Sequence, residues 1–423
     1  HGYNVEYIHM TSQNNIKNLV CPFCSIHCDD ISVTTTNDQY KVHQKNTICA
    51  KKIESYNLNN KSLVMPMIGK KVVKLSEALK QISNLIEGHN ETLILNHGVE
   101  LAGLRSILNF ASQRNCIIDH VGSKFLYQNI GVVQRTGYMA TSLTETKNRA
   151  DTIIVFGNEI FNKTPRLIDK VLVPKDSLCA KSKKEIILVG DFSEKIVKTI
   201  KGKCNITNIK LDLNLINDFL KLLAANDLKS MKGLKKSELT KIKNILDKSK
   251  YLVATWTASD FIKTLNPNKI IASICKHIVD LNVSSRAACM PISGVLADAT
   301  SSQALTWMTG FPSRIKHIDG TFKHDRNAFD SQKLIDEKNV DVVIHVSTIN
   351  SEKLQINKNI TNIVLGHPNT SFTSTPDIFI PVGIPGIDYE GIMFRTDNVV
   401  SVALKNIRDI KLPSAQNILD NLA

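Results

Sequence analysis

The chain has 423 residues, 42% of them hydrophobic and 22% charged, with only 12 prolines, a make-up that excludes a disordered or fibrous protein. Its longest apolar runs, such as Thr152–Gly157 and Glu185–Gly190, fall far short of the roughly 20 residues that cross a bilayer, so no membrane partner is expected. Half of the net charge of +14 comes from residues 201–250, where 12 Lys face 5 acidic residues; no aromatics interleave with them to stack on bases, so a solvated lysine-rich face is expected and nucleic-acid binding is not.

The length exceeds what one hydrophobic core usually serves, so two or three domains are expected. Residues His1–His9 carry no basic stretch followed by an apolar run, and they read as a remnant ahead of a natural start at Met10. Nine cysteines in so long a chain, four of them within the first fifty residues, do not make a secreted disulfide framework, which points to a reducing cytoplasm.

Along the chain, Ile31–Thr35 and Tyr40–Val42 are short runs of β character around the turn-like Asn37-Asp38, predicting a small cysteine-bearing β module over residues 1–65. Leu75, Ala78, Leu79, Ile82, Leu85 and Ile86 recur at helical spacing after a candidate cap at Ser76, and a strand follows at Thr92–Leu95. A helix through Leu101–Ala111, a strand at Cys116–Asp119, a helix near Phe125–Val133 and strands at Thr152–Phe156 and Glu185–Val189 continue the alternation. That pattern predicts a parallel α/β sheet with crossover helices. Residues 193–250 read as polar and helical. Strands then return at Tyr251–Thr255, Asp341–Val346, Ile360–Leu365 and Ile378–Pro381, with a helix over Ile270–Val279. The expected class is α/β: the module, then two Rossmann-like domains over 66–250 and 251–423.

The strongest chemical signal is Cys21-Pro22-Phe23-Cys24-Ser25-Ile26-His27-Cys28, with Cys49 some twenty residues on. Short spacers force the backbone to curl so that three thiolates surround one metal centre, and a return strand brings the fourth. Four thiolates suit a [4Fe-4S] cluster or tetrahedral zinc; the three-residue second spacer departs from paired CxxC zinc knuckles and favours iron-sulfur. His27 lies inside the motif where it could replace a ligand, but a solvated residue or a support behind the ligands is the simpler expectation. Cys116, Cys179, Cys204, Cys275 and Cys289 lack ligand spacing and read mostly as core residues.

A cassette of this spacing ahead of paired α/β layers resembles the molybdopterin oxidoreductases. Within them the chain resembles the family of formylmethanofuran dehydrogenase B subunits, on Cys21–Asp30, Glu145–Asp151, Thr306–Pro312, Gly383–Gly391 and Arg395–Asp397. The resemblance implies a metal held by a pterin and ligated by a cysteine or selenocysteine shortly after the strand ending at Asp119. Here that position falls on or close to Phe125, and no cysteine occurs between Cys116 and Cys179. Phe cannot ligate molybdenum or tungsten, and its ring would fill the space a metal needs. His120, Ser123, Leu126, Asn129, Gln134, Arg135, Gly137, Thr141 and Leu143 are similar instead to the B subunit of the bacterial formyltransferase/hydrolase complexes. That likeness implies a redox-silent chain without molybdopterin or tungstopterin. It also implies amidohydrolase-like and formyltransferase partner subunits, a methanofuran-type carrier, and release of formyl groups as formate.

His120 ends an apolar strand, where α/β sheets place ligands, yet a hydrogen-bonded structural role is the simpler expectation. Asp388, Glu390 and Arg395 read as an ion-paired loop and not as an acid-base site. With no G-x-G-x-x-G, Walker sequence, H-E-x-x-H or G-x-S-x-G, neither a nicotinamide enzyme nor a standalone hydrolase is expected.

Overall fold

A computed structural model describes residues 14–36, 39–43, 49, 52–57, 65–87, 91–178 and 183–423; residues 1–9, the Asn37-Asp38 turn and Cys179 lie outside these. Strands β1 (Asn14–Leu19), β2 (Ile31–Thr36) and β3 (Gln39–His43) form an antiparallel sheet around the first three cassette cysteines. A short hairpin, β4 (Met67–Ile68) and β5 (Lys71–Val72), precedes the helix Leu75–Glu87. Lys74 occupies the cap position of that helix and Ser76 lies inside its first turn, since the N–H groups of Glu77 and Ala78 both bond the Lys74 carbonyl.

The α/β part is built on β6 (Thr92–Gly98), β7 (Ile117–His120), β8 (Thr152–Phe156), β9 (Glu185–Val189), β10 (Asn205–Ile209), β11 (Tyr251–Trp256), β12 (Arg286–Pro291), β13 (Ile315–Ile318), β14 (Thr321–His324), β15 (Val342–Ser347), β16 (Thr361–Gly366) and β17 (Ile378–Pro381). Two sheets result, ordered β14-β13-β7-β6-β15-β16-β17-β4-β5 and β10-β9-β8-β11-β12. The expected boundary between 250 and 251 therefore cuts through both sheets: β8 pairs with β11 in one, and in the other β6 pairs with β15, which enters 222 residues after β7 ends. Strand spacing reveals that parallel sheets form; it does not reveal which distant strand fills the neighbouring place.

In each sheet the chain runs outward in both directions from a central pair. From β6 it passes to β7 and from β15 to β16 and β17; from β8 it passes to β9 and β10 and from β11 to β12. The carboxyl ends at such reversals open the crevices in which α/β proteins bind ligands. Leu93, Leu95 and Val343 fill one face of the larger sheet, and Ile94, Ile118, Ile344 and Ile363 the other, as period-2 strands covered on both sides require. Among the described residues no helix is long and apolar enough to cross a membrane.

Candidate functional site

The cassette is a tight loop between β1 and β2. The Cys21 N–H donates to the Cys28 carbonyl at 2.8 Å and the His27 N–H to the Cys24 carbonyl at 3.2 Å, closing the chain around the thiols. His27 takes the left-handed φ of 43° that the turn demands. Its Nδ1 donates to the Cys21 carbonyl at 3.1 Å, and burial lowers its pKa to about 4. His27 is thus a buried neutral imidazole that braces the loop, which corrects the solvated alternative.

Cys21, Cys24 and Cys28 are buried and Cys49 is half-buried. The four act on one another electrostatically: Cys21 feels Cys24 and Cys49, Cys28 feels Cys21 and Cys24, and Cys49 feels Cys24. Burial pushes all four thiols up, Cys49 to about 11, so without a metal they are protonated and binding one releases protons. Among the described residues no three His, Cys, Asp or Glu side chains converge on a single ion. Tetrahedral zinc needs its sulfurs about 3.8 Å apart, given Zn–S bonds of about 2.3 Å. In an iron-sulfur cubane each thiolate binds a different iron, and four thiol donors are the chemistry that such a group takes.

Two arginines fasten the segment to later parts of the chain. From the C-terminal part, Arg408 donates from Nε to Asp388 Oδ1 at 2.7 Å and from Nη1 to the carbonyls of Ser55 and Tyr56, both at 3.1 Å. From the segment after β8, Arg166 donates to both oxygens of Asp30, at 2.5 and 2.8 Å. Sequence spacing could not flag either contact, because the partners lie 136 to 353 residues apart except for Asp388. Asp388, Glu390 and Arg395 form no joint constellation: Asp388 pairs with Arg408 and Arg395 with Asp397.

Beside the cassette lies a cavity of about 720 Å³, lined by Cys24, Ser25 and Ser55 on one side and by Leu95, His97 and His345 at the carboxyl ends of β6 and β15 on the other. A polar row crosses three strands there. The Asn362 amide NH₂ donates to the carbonyls of Asn357 and Ile360, at 2.8 and 2.6 Å, which turns its oxygen toward His345 Nε2 at 3.1 Å. His345 Nε2 must then carry the proton, and its Nδ1 accepts from His97 Nε2 at 3.0 Å. Burial lowers both imidazoles, His345 to about 4, so the row is neutral. The strand was expected to stop at Leu95, one pleat before His97, which is why sequence alone did not flag the row; a polar residue continuing the Leu93, Leu95 alternation was the available signal.

His120 is buried, with the Gly122 N–H donating to Nδ1 at 3.0 Å and its Nε2 donating to the Leu296 carbonyl at 3.2 Å, a structural role. Phe125 departs from what its position suggested. It sits in the helix Ser123–Thr136 with its ring against the core beneath the five-stranded sheet, and Val121 is what that segment contributes to the cavity lining. The Phe125 ring therefore does not fill cavity space. Cys116, Cys204, Cys275 and Cys289 are buried in the apolar cores, as expected.

No protein-family model matches the chain. The B subunit of the tungsten-containing formylmethanofuran dehydrogenase 2 of Methanocaldococcus jannaschii is 21% identical over 421 residues, covering 93% of this chain and 94% of that protein. Its counterpart from Methanococcus maripaludis is 22% identical, covering 90% and 92%. Along nearly its whole length the chain is thus similar to formylmethanofuran dehydrogenase B subunits. The B subunit of the formyltransferase/hydrolase complex of Methylorubrum extorquens is 18% identical over 321 residues, covering 75% of this chain and 84% of that protein. A chain in the crystal structure of the M. extorquens formyltransferase/hydrolase complex with methylofuran superposes with a TM-score of 0.70 at 17% identity, covering 84% of this chain and 97% of that one, a likeness of fold.

Proposed function

We propose that this chain is the B subunit of a formyltransferase/hydrolase complex in one-carbon metabolism, redox-silent, with a cysteine cassette that holds a [4Fe-4S] cluster as a structural staple. The observation that carries it is the segment after β7, which brings Val121 and no thiol to the cavity; Cys24 is the one cavity-lining cysteine among the described residues, and it belongs to the cassette. A molybdenum or tungsten centre accordingly lacks the protein ligand that the resemblance calls for. Partners are amidohydrolase-like and formyltransferase subunits sharing a methanofuran-type carrier in the cytoplasm, in line with the M. extorquens complex.

The three-residue spacer between Cys24 and Cys28, unlike that of paired CxxC zinc knuckles, supports iron-sulfur over zinc for these four thiols. When bound, the cluster would supply cross-linking of Cys21, Cys24, Cys28 and Cys49. The chain's own residues position it: His27 braces the loop, while Arg408, from the C-terminal part, and Arg166, from the segment after β8, hold it to the rest of the chain. The test is Cys24→Ser in the intact complex. Loss of stability or of subunit assembly is expected. Lost turnover with assembly intact would favour the other reading, an active molybdopterin or tungstopterin dehydrogenase.

A further inference from the structure

The hairpin of β18 (Gly391–Phe394) and β19 (Ser401–Leu404) forms a sheet of its own with two unlike faces. Its register sets Gly391 opposite Leu404 and Met393 opposite Val402 on the inner face, and Ile392 opposite Ala403 and Phe394 opposite Ser401 on the outer one. Met393 and Leu404 are buried in the core that includes Cys21, Cys24 and Cys28, and the Thr396 N–H donates to the Ser25 carbonyl at 2.9 Å, which ties the hairpin to the cassette loop. The helix Asp298–Thr309 flanks it: the Phe394 N–H donates to Thr300 Oγ1 at 2.9 Å, and Gln303 Nε2 donates to the Asn398 carbonyl at 3.2 Å. One turn beyond Gln303, the Trp307 ring meets the Phe394 ring edge-on, with centroids 5.1 Å apart.

The outer side of this unit is apolar and uncovered. Trp307 is 66% exposed, Val399 65%, Ile392 45% and Met308 43%, on two elements that the hydrogen bonds lock together. Neither element shows a free charge. The charged residues of 391–404 are Arg395 and Asp397, which pair with each other at 2.6 Å, and the one in the helix is Asp298, largely covered. Single exposed apolar side chains are ordinary, but a cluster built on Trp, Met and Ile without exposed charge has the make-up of the centre of a protein interface.

Charge decides what covers it. A second copy would bring together two chains of net charge +14, and their repulsion opposes association. A membrane surface draws apolar helices through Lys and Arg beside the apolar stripe, and this helix has neither. A neutral or acidic subunit with an apolar face meets no repulsion and leaves no charge stranded. We propose that this face docks a different subunit of the complex, neutral or acidic overall, with Trp307 as its anchor. The proposal rests on the reading of the chain as a complex subunit. It also links assembly to the cassette, because the docking hairpin is tied to the cassette loop at Ser25.

The test co-expresses the chain with the amidohydrolase-like and formyltransferase subunits and follows assembly by size-exclusion chromatography with light scattering, and hydrogen exchange of residues 391–404 in the complex and alone. Slower exchange of that hairpin on assembly is expected. Trp307→Ala is expected to weaken association on the order of thirtyfold, as loss of a central aromatic anchor does, and Ile392→Glu to prevent it. Leu265→Glu, at an exposed apolar residue elsewhere, is expected to assemble as the wild type does, with circular dichroism confirming that each variant is folded. Folded Trp307→Ala and Ile392→Glu chains that assemble like the wild type would overturn the proposal. Equal losses in all three variants, or a wild-type chain that dimerises by itself through this face, would do the same. A wild-type chain that joins neither subunit would overturn the complex-subunit reading and this proposal with it.

Discussion

Removing Arg408 should undo the fastening of the cassette segment to the C-terminal part of the chain. The guanidinium and the Asp388 carboxylate are both almost fully covered, and burial pushes the Asp388 pKa up while Arg408 pulls it back. Arg408→Met leaves a carboxylate with no counter-charge, at a cost of about 3–5 kcal/mol. It also strips donors from the Ser55 and Tyr56 carbonyls, about 1 kcal/mol each. The double variant Asp388→Leu/Arg408→Met replaces the pair by apolar side chains and should recover most of the first cost, since such swaps are often neutral. Urea denaturation followed by circular dichroism reads both. The reasoning is refuted if Arg408→Met lies within about 1 kcal/mol of the wild type, or if the double variant is no more stable than the single one.

Burial raises the Asp260 pKa to about 7, and its Oδ2 is buried without a partner among the described residues. A carboxyl raised in the folded state stabilises fully below about pH 4 and loses that contribution as pH rises through 7. Asp260→Asn should thus be more stable than the wild type at pH 8, by about 2–4 kcal/mol, and indistinguishable at pH 4; parallel pH profiles of melting temperature would count against this. Gly157 has φ +83° and a methyl group there would come 2.2 Å from Asp260 Cγ, so Gly157→Ala should destabilise by more than about 2 kcal/mol, with partial relief in an Asp260→Ala background that a double-mutant cycle would detect. Asn362→Leu strands the His345 N–H and two carbonyls and should cost about 2–3 kcal/mol; imidazole nitrogen shifts of His345 unchanged from the wild type would disprove the assigned tautomer.

Local order was largely legible. The runs at Thr152–Phe156, Glu185–Val189 and Ile378–Pro381 are strands with those same bounds, because β-branched and apolar residues covered on both faces leave little else for the chain to do. β10 and β12 escaped notice for physical reasons. Asn205–Ile209 is an edge strand with one buried residue, and Arg286–Pro291 contains Ala287, Ala288 and Cys289, which have little intrinsic preference for a strand and become one by pairing with β11. The cassette was visible because four cysteines at short spacing have few other uses. The clamps by Arg166 and Arg408, the His97–His345–Asn362 row and the place of Phe125 depend on which sheet a segment joins, and that is decided by contacts across hundreds of residues.

Under the proposed function, the chain keeps the cassette of the dehydrogenase family without the metal-pterin chemistry. Elemental analysis of the intact complex, purified without oxygen, tests this most directly. Iron at roughly four atoms per chain, with tungsten and molybdenum absent, is the expected result. Tungsten or molybdenum at one atom per chain would contradict it.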